Sequence, residues 1–263
     1  MKQDINEIIT SRMSTAFDFN KNDVALYLII SATPRTGSTY VADILRQSKI
    51  LGSPMEYLNP DYYMNSPEAT IGKSISLNDY LQSVVQRRTS PNGIFSIHIH
   101  HHQILHARAK YRFNFFSWIK NHKTVWVHIN RKNKVEQAVS LYRAISTGKW
   151  SSRVKPKKIN NAVETDLAMQ EIHQHYKNLH YENERWENYF SLNDIKPLYL
   201  NYEEFSKAQQ LEIIEKVCMH IKNNSNQNIA FQLPKHPIKS LIKKQRVDND
   251  LLYEEYKKRY NIC

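Results

Sequence analysis

The stretch from Ala25 to Tyr57, ALYLIISATPRTGSTYVADILRQSKILGSPMEY, restricts the fold more than any other part of the chain. Ala25 to Ile30 is a short aliphatic run of the kind that forms a parallel strand buried on both faces. The small and hydroxylated residues Thr33-Pro34-Arg35-Thr36-Gly37-Ser38-Thr39 follow, and Val41, Ile44 and Leu45 then recur at helical spacing. A strand that feeds a helix through such a loop aims free backbone N–H groups and the positive end of the helix dipole at one point. That point suits a phosphate. The loop lacks the Gly-x-x-x-x-Gly-Lys-Ser/Thr spacing of nucleotide hydrolases, and its cation, Arg35, precedes the glycine, which disfavours a metal-dependent NTPase. The alternative is an ordinary strand-to-helix turn capped by Thr or Ser.

A chain of 263 residues has room for a proper core and is expected to form a single domain over 1–263, with 1–22 as an amino-terminal arm or helix. The longest apolar run, from about Val24 to Ala32, is too short for a bilayer, and the first twenty residues lack the apolar core of a signal peptide. A soluble, cytoplasmic protein with no transmembrane segment is therefore expected. Two cysteines make a disulfide framework improbable. With 37 Lys plus Arg against 25 Asp plus Glu, the net charge of +12 points to an anionic partner. Without zinc-finger spacing, an RNA-binding sheet signature or a basic amphipathic stretch, a small polyanion is favoured over nucleic acid or a membrane.

Further along, Pro54, Pro60 and Pro67 with Gly52 make 51–67 a loop, which carries Glu56 and would fold back over the carboxyl ends of the strands. A helix is predicted over Ser76 to Arg88, capped at Ser76 or Asn78, with Leu77, Leu81, Val84 and Val85 inward. Phe95 to His100 alternates, with Phe95, Ile97 and Ile99 on one face and Ser96, His98 and His100 on the other. The two histidines suggest a general base, or a donor to a developing anion. A metal site is set aside because no Cys, Asp or second His pair stands at ligand spacing. Thr124 to Ile129 reads as another strand, ending at Arg131, and a helix from Asn133 buries Val135, Ala138, Val139 and Tyr142, with Ser140 off that stripe. Arg131 and Ser140 together are suited to a second phosphate. A basic loop at Lys149 to Lys158, a long helix from about Asp166, a strand from Pro197 to Asn201, a helix through Leu211, Ile214, Cys218 and Ile221, and a basic carboxyl-terminal segment complete the chain. Strands that alternate with helices in this way indicate an α/β fold with a mainly parallel sheet.

Three features in order, TPRTGSTY, VHINRKNKVEQAVSLYRA and the late YEEF, resemble sulfotransferases that use 3′-phosphoadenosine 5′-phosphosulfate (PAPS). More narrowly, TPRTGSTYVADILRQS with GSPMEYLNP, and NKVEQAVSLYRAISTGKW, are similar to the bacterial Stf0 family. The resemblance implies a P-loop-like three-layer fold and PAPS as co-substrate without a metal. It implies that Arg35 and the backbone of Thr36, Gly37, Ser38 and Thr39 bind the 5′-phosphosulfate, that Arg131 and Ser140 hold the 3′-phosphate, and that Tyr202 contacts the adenine. Glu56 falls where the family places its catalytic base. His98 stands where related sulfotransferases carry a lysine, and His100 where many place a catalytic histidine. The bridging oxygen would then be stabilised by a protonated His98 or by Arg35.

The implied reaction moves a sulfuryl group to a hydroxyl of a carbohydrate or glycolipid by in-line displacement, with Glu56 or His100 as base. Sixteen tyrosines and four tryptophans are ample for stacking a sugar. The alternatives are a metal-dependent P-loop small-molecule kinase and a non-catalytic anion- or nucleic-acid-binding protein. A homodimer is compatible with the sequence.

Overall fold

The computed structural model describes residues 13–64, 66, 75–150, 165–235, 238 and 251–262. Most of the expected amino-terminal arm, the basic loop from residue 151 onward, and Lys239, Lys243, Lys244 and Arg246 lie outside these residues.

Four parallel strands form the central sheet, in the order β2-β1-β3-β4. They are β1 (Leu26–Ala32), β2 (Ile94–His100), β3 (Thr124–Asn130) and β4 (Leu198–Asn201). β1 is central, and its aliphatic run is buried along its whole length. Tyr27 and Ile29 pack on one side with Phe95, Ile97, Trp126 and Trp186, while Leu26, Leu28 and Ile30 pack on the other with Val41, Ile44, Val127 and Ile214. Burial on both faces is why the run is continuous rather than alternating.

Helices flank both faces. The first is α1 (Ser38–Ser48), entered through Gly37 at φ 79°. Next come the short α2 (Pro60–Met64) and α3 (Leu77–Arg88), the latter capped by Ser76, whose side chain accepts from the Asp79 amide. The four apolar positions expected to face inward from α3 are all buried. After β2 the chain turns at once into α4 (His101–Tyr111), then α5 (Phe115–Lys120). Neither was anticipated. α4 starts at a histidine rather than a common cap residue, and Leu105 within it is exposed, so its apolar periodicity is weak. α6 (Lys134–Thr147) is capped by Asn133, whose side chain accepts from the Glu136 amide. α7 (Thr165–Leu192) and α8 (Tyr202–Phe205) bracket β4, and α9 (Gln210–Asn224) and α10 (Leu251–Tyr260) follow. Leu211, expected on the inner stripe of α9, is exposed; Ile213, Ile214, Val217, Cys218 and Ile221 form that stripe.

The polar face of β2 is also covered. The segment after α1 runs over it: a Cβ at Gly52 would stand 2.5 Å from Ser96 Oγ, and the His98 amide donates to the Met55 carbonyl at 3.0 Å. Gly52 sits at φ 69°, so both backbone shape and space require glycine there. The close approach carries Glu56 to the histidines of β2.

No helix among the described residues is long and apolar enough to cross a membrane.

Candidate active site

The register of the sheet assembles the site at the carboxyl edge. Ala32, the last residue of β1, pairs with His100 on one side and Ile129 on the other, and Asn130 pairs with Asn201. The loop after β1, the histidines of β2, Arg131 after β3 and Tyr202 after β4 therefore come to one rim. The chain leaves β1 toward β2 on one side and reaches β3 on the other, and ligands of open α/β sheets bind outside such a switch point.

The loop is held from behind. Thr36 is fully buried and its Oγ1 donates to the Thr33 carbonyl at 3.0 Å. Gln137 of α6, also fully buried, donates from Nε2 to Thr33 Oγ1 at 2.9 Å and to the Pro34 carbonyl at 2.6 Å. Arg35 itself has a positive φ of 66°, a conformation uncommon for residues other than glycine. A Cβ at Gly37 would lie 3.0 Å from both Phe205 Cζ and Tyr202 Cδ2, so the aromatic pair of α8 presses against the glycine. Ser38 is buried, whereas Thr39 lines a cleft on the other side.

Arg35, Arg131, Ser140 and Tyr202 form one cluster. Arg35 Nε donates to Ser140 Oγ at 3.0 Å and NH1 to the Trp150 carbonyl at 2.6 Å. Arg131 NH1 donates to the Arg35 carbonyl at 3.2 Å, and NH2 lies 2.7 Å from Glu136 Oε1. The Arg131 guanidinium sits 4.4 Å from the centroid of the Tyr202 ring. Its Nε is buried without a hydrogen-bond partner among the described residues. Burial, then the Arg131 charge, bring the Arg35 pKa down to about 10, with Tyr202 opposing. Two guanidiniums at one rim that repel each other leave room for an anion to offset their charge. The sequence reading assigned Arg35 and the Arg131/Ser140 pair to different phosphates, but here the Arg35 side chain is joined to Ser140.

The second cluster is Glu56 with His98 and His100, whose rings stand 4.7 Å apart. Glu56 Oε1 lies 3.8 Å from His98 Nδ1, and Oε2 lies 4.0 Å from His100 Nε2. Gln103 of α4 donates to Glu56 Oε2 at 2.7 Å, and Asn59 does so at 3.3 Å. His100 Nδ1 is 3.0 Å from the Ala32 carbonyl. A carbonyl only accepts, so Nδ1 carries the proton and a neutral His100 turns its Nε2 lone pair toward Glu56. Burial pushes the Glu56 carboxyl up, but the charges of His100 and His98 and the Gln103 and Asn59 hydrogen bonds outweigh it and hold the group at about 2. Burial lowers His100 below its ordinary value, against the opposing charge of Glu56.

A small cleft opens beside this second cluster, with Thr39, Arg46, Met55, Glu56, Tyr62 and His98 on its walls. Thr39, in the first turn of α1, brings the end of the loop to the cleft that Glu56 and His98 line. Gln103 and Gln137, which orient the two halves of the site, escaped the sequence reading. A glutamine on an unremarkable helix carries no local signal of the loop it will meet.

Residues 27–248 match the family model for Stf0 sulphotransferase. The chain is 25% identical over 209 residues to trehalose 2-sulfotransferase of Mycobacterium tuberculosis, covering 67% of this chain and 76% of that enzyme. It is 24% identical over 211 residues to trehalose 2-sulfotransferase of Mycolicibacterium smegmatis, again covering 67% and 76%. With the family match spanning the whole sheet and every element of the rim, the chain belongs to the Stf0 sulfotransferases and is a sulfotransferase enzyme.

Proposed function

We propose that this enzyme transfers a sulfuryl group from PAPS to a hydroxyl of a carbohydrate. The observation that carries the donor assignment is the Arg35–Ser140–Arg131 cluster, with Arg131 and Ser140 buried and Tyr202 against Arg131. Its unpartnered Arg131 Nε and paired cations fit a dianionic phosphate, and the adjacent aromatic face fits a base. The amides of Thr36 to Thr39 at the start of α1 would take the phosphosulfate end. PAPS supplies an activated sulfuryl group and a phosphate leaving group. In the transfer a bond forms from the acceptor oxygen to sulfur, the bond from sulfur to the bridging oxygen breaks, and the acceptor proton passes to the enzyme.

Glu56 and His100 take that proton as a pair. A carboxylate held at about 2 is a weak base alone at neutral pH, since a general base works best with a pKa near the operating pH. His100 Nε2 offers a lone pair beside it, and Glu56 at 4.0 Å stabilises the imidazolium that results. His98, on the cleft wall with Thr39 and at the position of the missing lysine, stabilises charge on the bridging oxygen when protonated. Arg35, turned to Ser140, serves the phosphate.

The relatives act on trehalose, as their names state, and this supports a sugar acceptor. Calorimetry with adenosine 3′,5′-bisphosphate, AMP and ATP tests the donor: preference for the bisphosphate, lost in Arg131→Ala, is expected, and equal affinity for all three refutes it. Labelled PAPS offered with sugars and glycolipids identifies the acceptor.

A further inference from the structure

Glu56, His98 and His100 each offer a ligand atom, and these atoms lie within 4.8 Å of one another. We propose that the three residues form a binding site for a divalent transition ion of the zinc class, and that its occupancy shuts off sulfuryl transfer.

The donor set is two imidazoles and one carboxylate, the composition of three-ligand zinc sites that keep one position open. Nitrogen donors exclude magnesium and calcium as preferred occupants. The orientation of the ligands is a separate observation. His100 donates Nδ1–H to the Ala32 carbonyl, which leaves Nε2 as a lone pair aimed at Glu56 Oε2 across 4.0 Å. Two lone-pair donors that face each other at that range are reconciled by a cation between them. The partners behind them are the outer contacts that orient metal ligands: a backbone carbonyl on His100, and Gln103 on the Glu56 carboxylate. The His98 amide, bonded to the Met55 carbonyl, ties the two ligand-bearing segments together next to Glu56.

Bonds of about 2.0–2.1 Å in a tetrahedron put ligand atoms about 3.4 Å apart. The ion must therefore draw the cluster in, and Glu56, on a loop rather than a strand, is the member able to move. Once bound, the ion takes the lone pairs of Glu56 and His100 that proton transfer requires. The inhibitory half of the inference rests on the proton-transfer role proposed above, and the binding half does not. His98 is the decisive ligand, because a lysine there would put a positive charge in place of a donor nitrogen.

The test is titration of the purified, chelator-treated enzyme with Co²⁺, followed by visible absorption. One equivalent is expected to produce the intense bands of a four- or five-coordinate ion. His98→Ala, His98→Lys, His100→Ala and Glu56→Gln should each abolish those bands, Gln103→Ala should weaken affinity about 10–100-fold, and the exposed His106→Ala should change nothing. On the unmutated enzyme, proton NMR of the Co²⁺ form should show a hyperfine-shifted N–H resonance from His100 Nδ1. Zn²⁺ should displace Co²⁺ and stop turnover, reversibly with chelator. Absence of one-equivalent binding, absence of that shifted resonance, or undiminished binding in folded His98 and His100 variants overturns the site. Zn²⁺ that binds without slowing turnover overturns the inhibitory half alone, and enzyme that needs the ion for turnover does the same.

Discussion

Removing Glu56 and His100 singly and together is the sharpest test of how the acceptor proton is handled. The two stand 4.0 Å apart, and at an effective dielectric constant of about 20 that separation is worth about 4 kcal/mol between unit charges. If the transferred proton rests on His100 beside the Glu56 carboxylate, deleting either partner removes roughly that stabilisation, or about 10³ in rate. Glu56→Gln and His100→Gln should therefore each lower kcat by about 10²–10⁴-fold. The double variant should be within about tenfold of the slower single variant, because groups that act as one unit are not additive. Affinity for adenosine 3′,5′-bisphosphate should be unchanged in all three, since neither residue belongs to the arginine cluster. The assay is single-turnover transfer of labelled sulfuryl with donor saturating. Costs that multiply in the double variant refute the pair, and full turnover in Glu56→Gln removes Glu56 from the chemistry altogether. A pH profile gives a second reading. Burial keeps the His100 pKa below 6.5, so wild-type kcat/KM should be level above that pH and fall below it as Nε2 takes a proton. In His100→Gln the carboxylate loses the largest influence holding it at about 2, and the acid limb that remains should be its own, displaced upward from that value.

Other parts of the site make separate predictions. Gly37→Ala adds a Cβ at φ 79° against Tyr202 and Phe205, and should cost about 1–3 kcal/mol of stability by denaturant titration and weaken bisphosphate binding. Gln137→Leu strips the Thr33 hydroxyl and the Pro34 carbonyl of their donor, and should cost about 1–3 kcal/mol and loosen the loop, seen as faster amide exchange at residues 33–37. His128, fully buried, is held down at about 4 by burial, with an Asn183 hydrogen bond opposing and the Lys134 charge adding. The unfolded chain binds that proton from about 6.5 downward. Stability should therefore fall between pH 6.5 and 4, by up to about 3 kcal/mol from this residue. Thermal melts of His128→Asn over that range should show a shallower decline than wild type, and an equal decline counts against the burial argument.

The strands were legible because a sheet buried on both faces demands aliphatic runs, and Leu26 to Ala32 and Thr124 to Asn130 supply them. The starts of α3 and α6 were legible because Ser76 and Asn133 are local capping residues whose partners lie three positions on. α4 was not: its amino-terminal residue is a histidine, and its place against the sheet is fixed by neighbours distant in sequence. Arg131, Ser140 and Tyr202 were recognised through motifs, yet the Arg35 to Ser140 contact joins residues 105 positions apart and follows from no spacing. That Glu56 stands within reach of both histidines was hidden for the same reason, since it lies on a loop more than forty residues away.

By itself, then, the sequence determined the parallel α/β layout, the phosphate-suited loop after the first strand, and the identity of the residues that reach the rim. The layout and the loop depend on periodicity, capping and chain order, which act over a few residues, and the rim residues were named from the motifs that resemble the family. Which of those residues meet was decided by the tertiary structure alone. The Gly52 to Met55 segment closes over β2 and sets Glu56 beside two histidines, and α6 brings Ser140 and Gln137 under the loop. Such contacts arise from long-range packing of segments whose local patterns say nothing of one another.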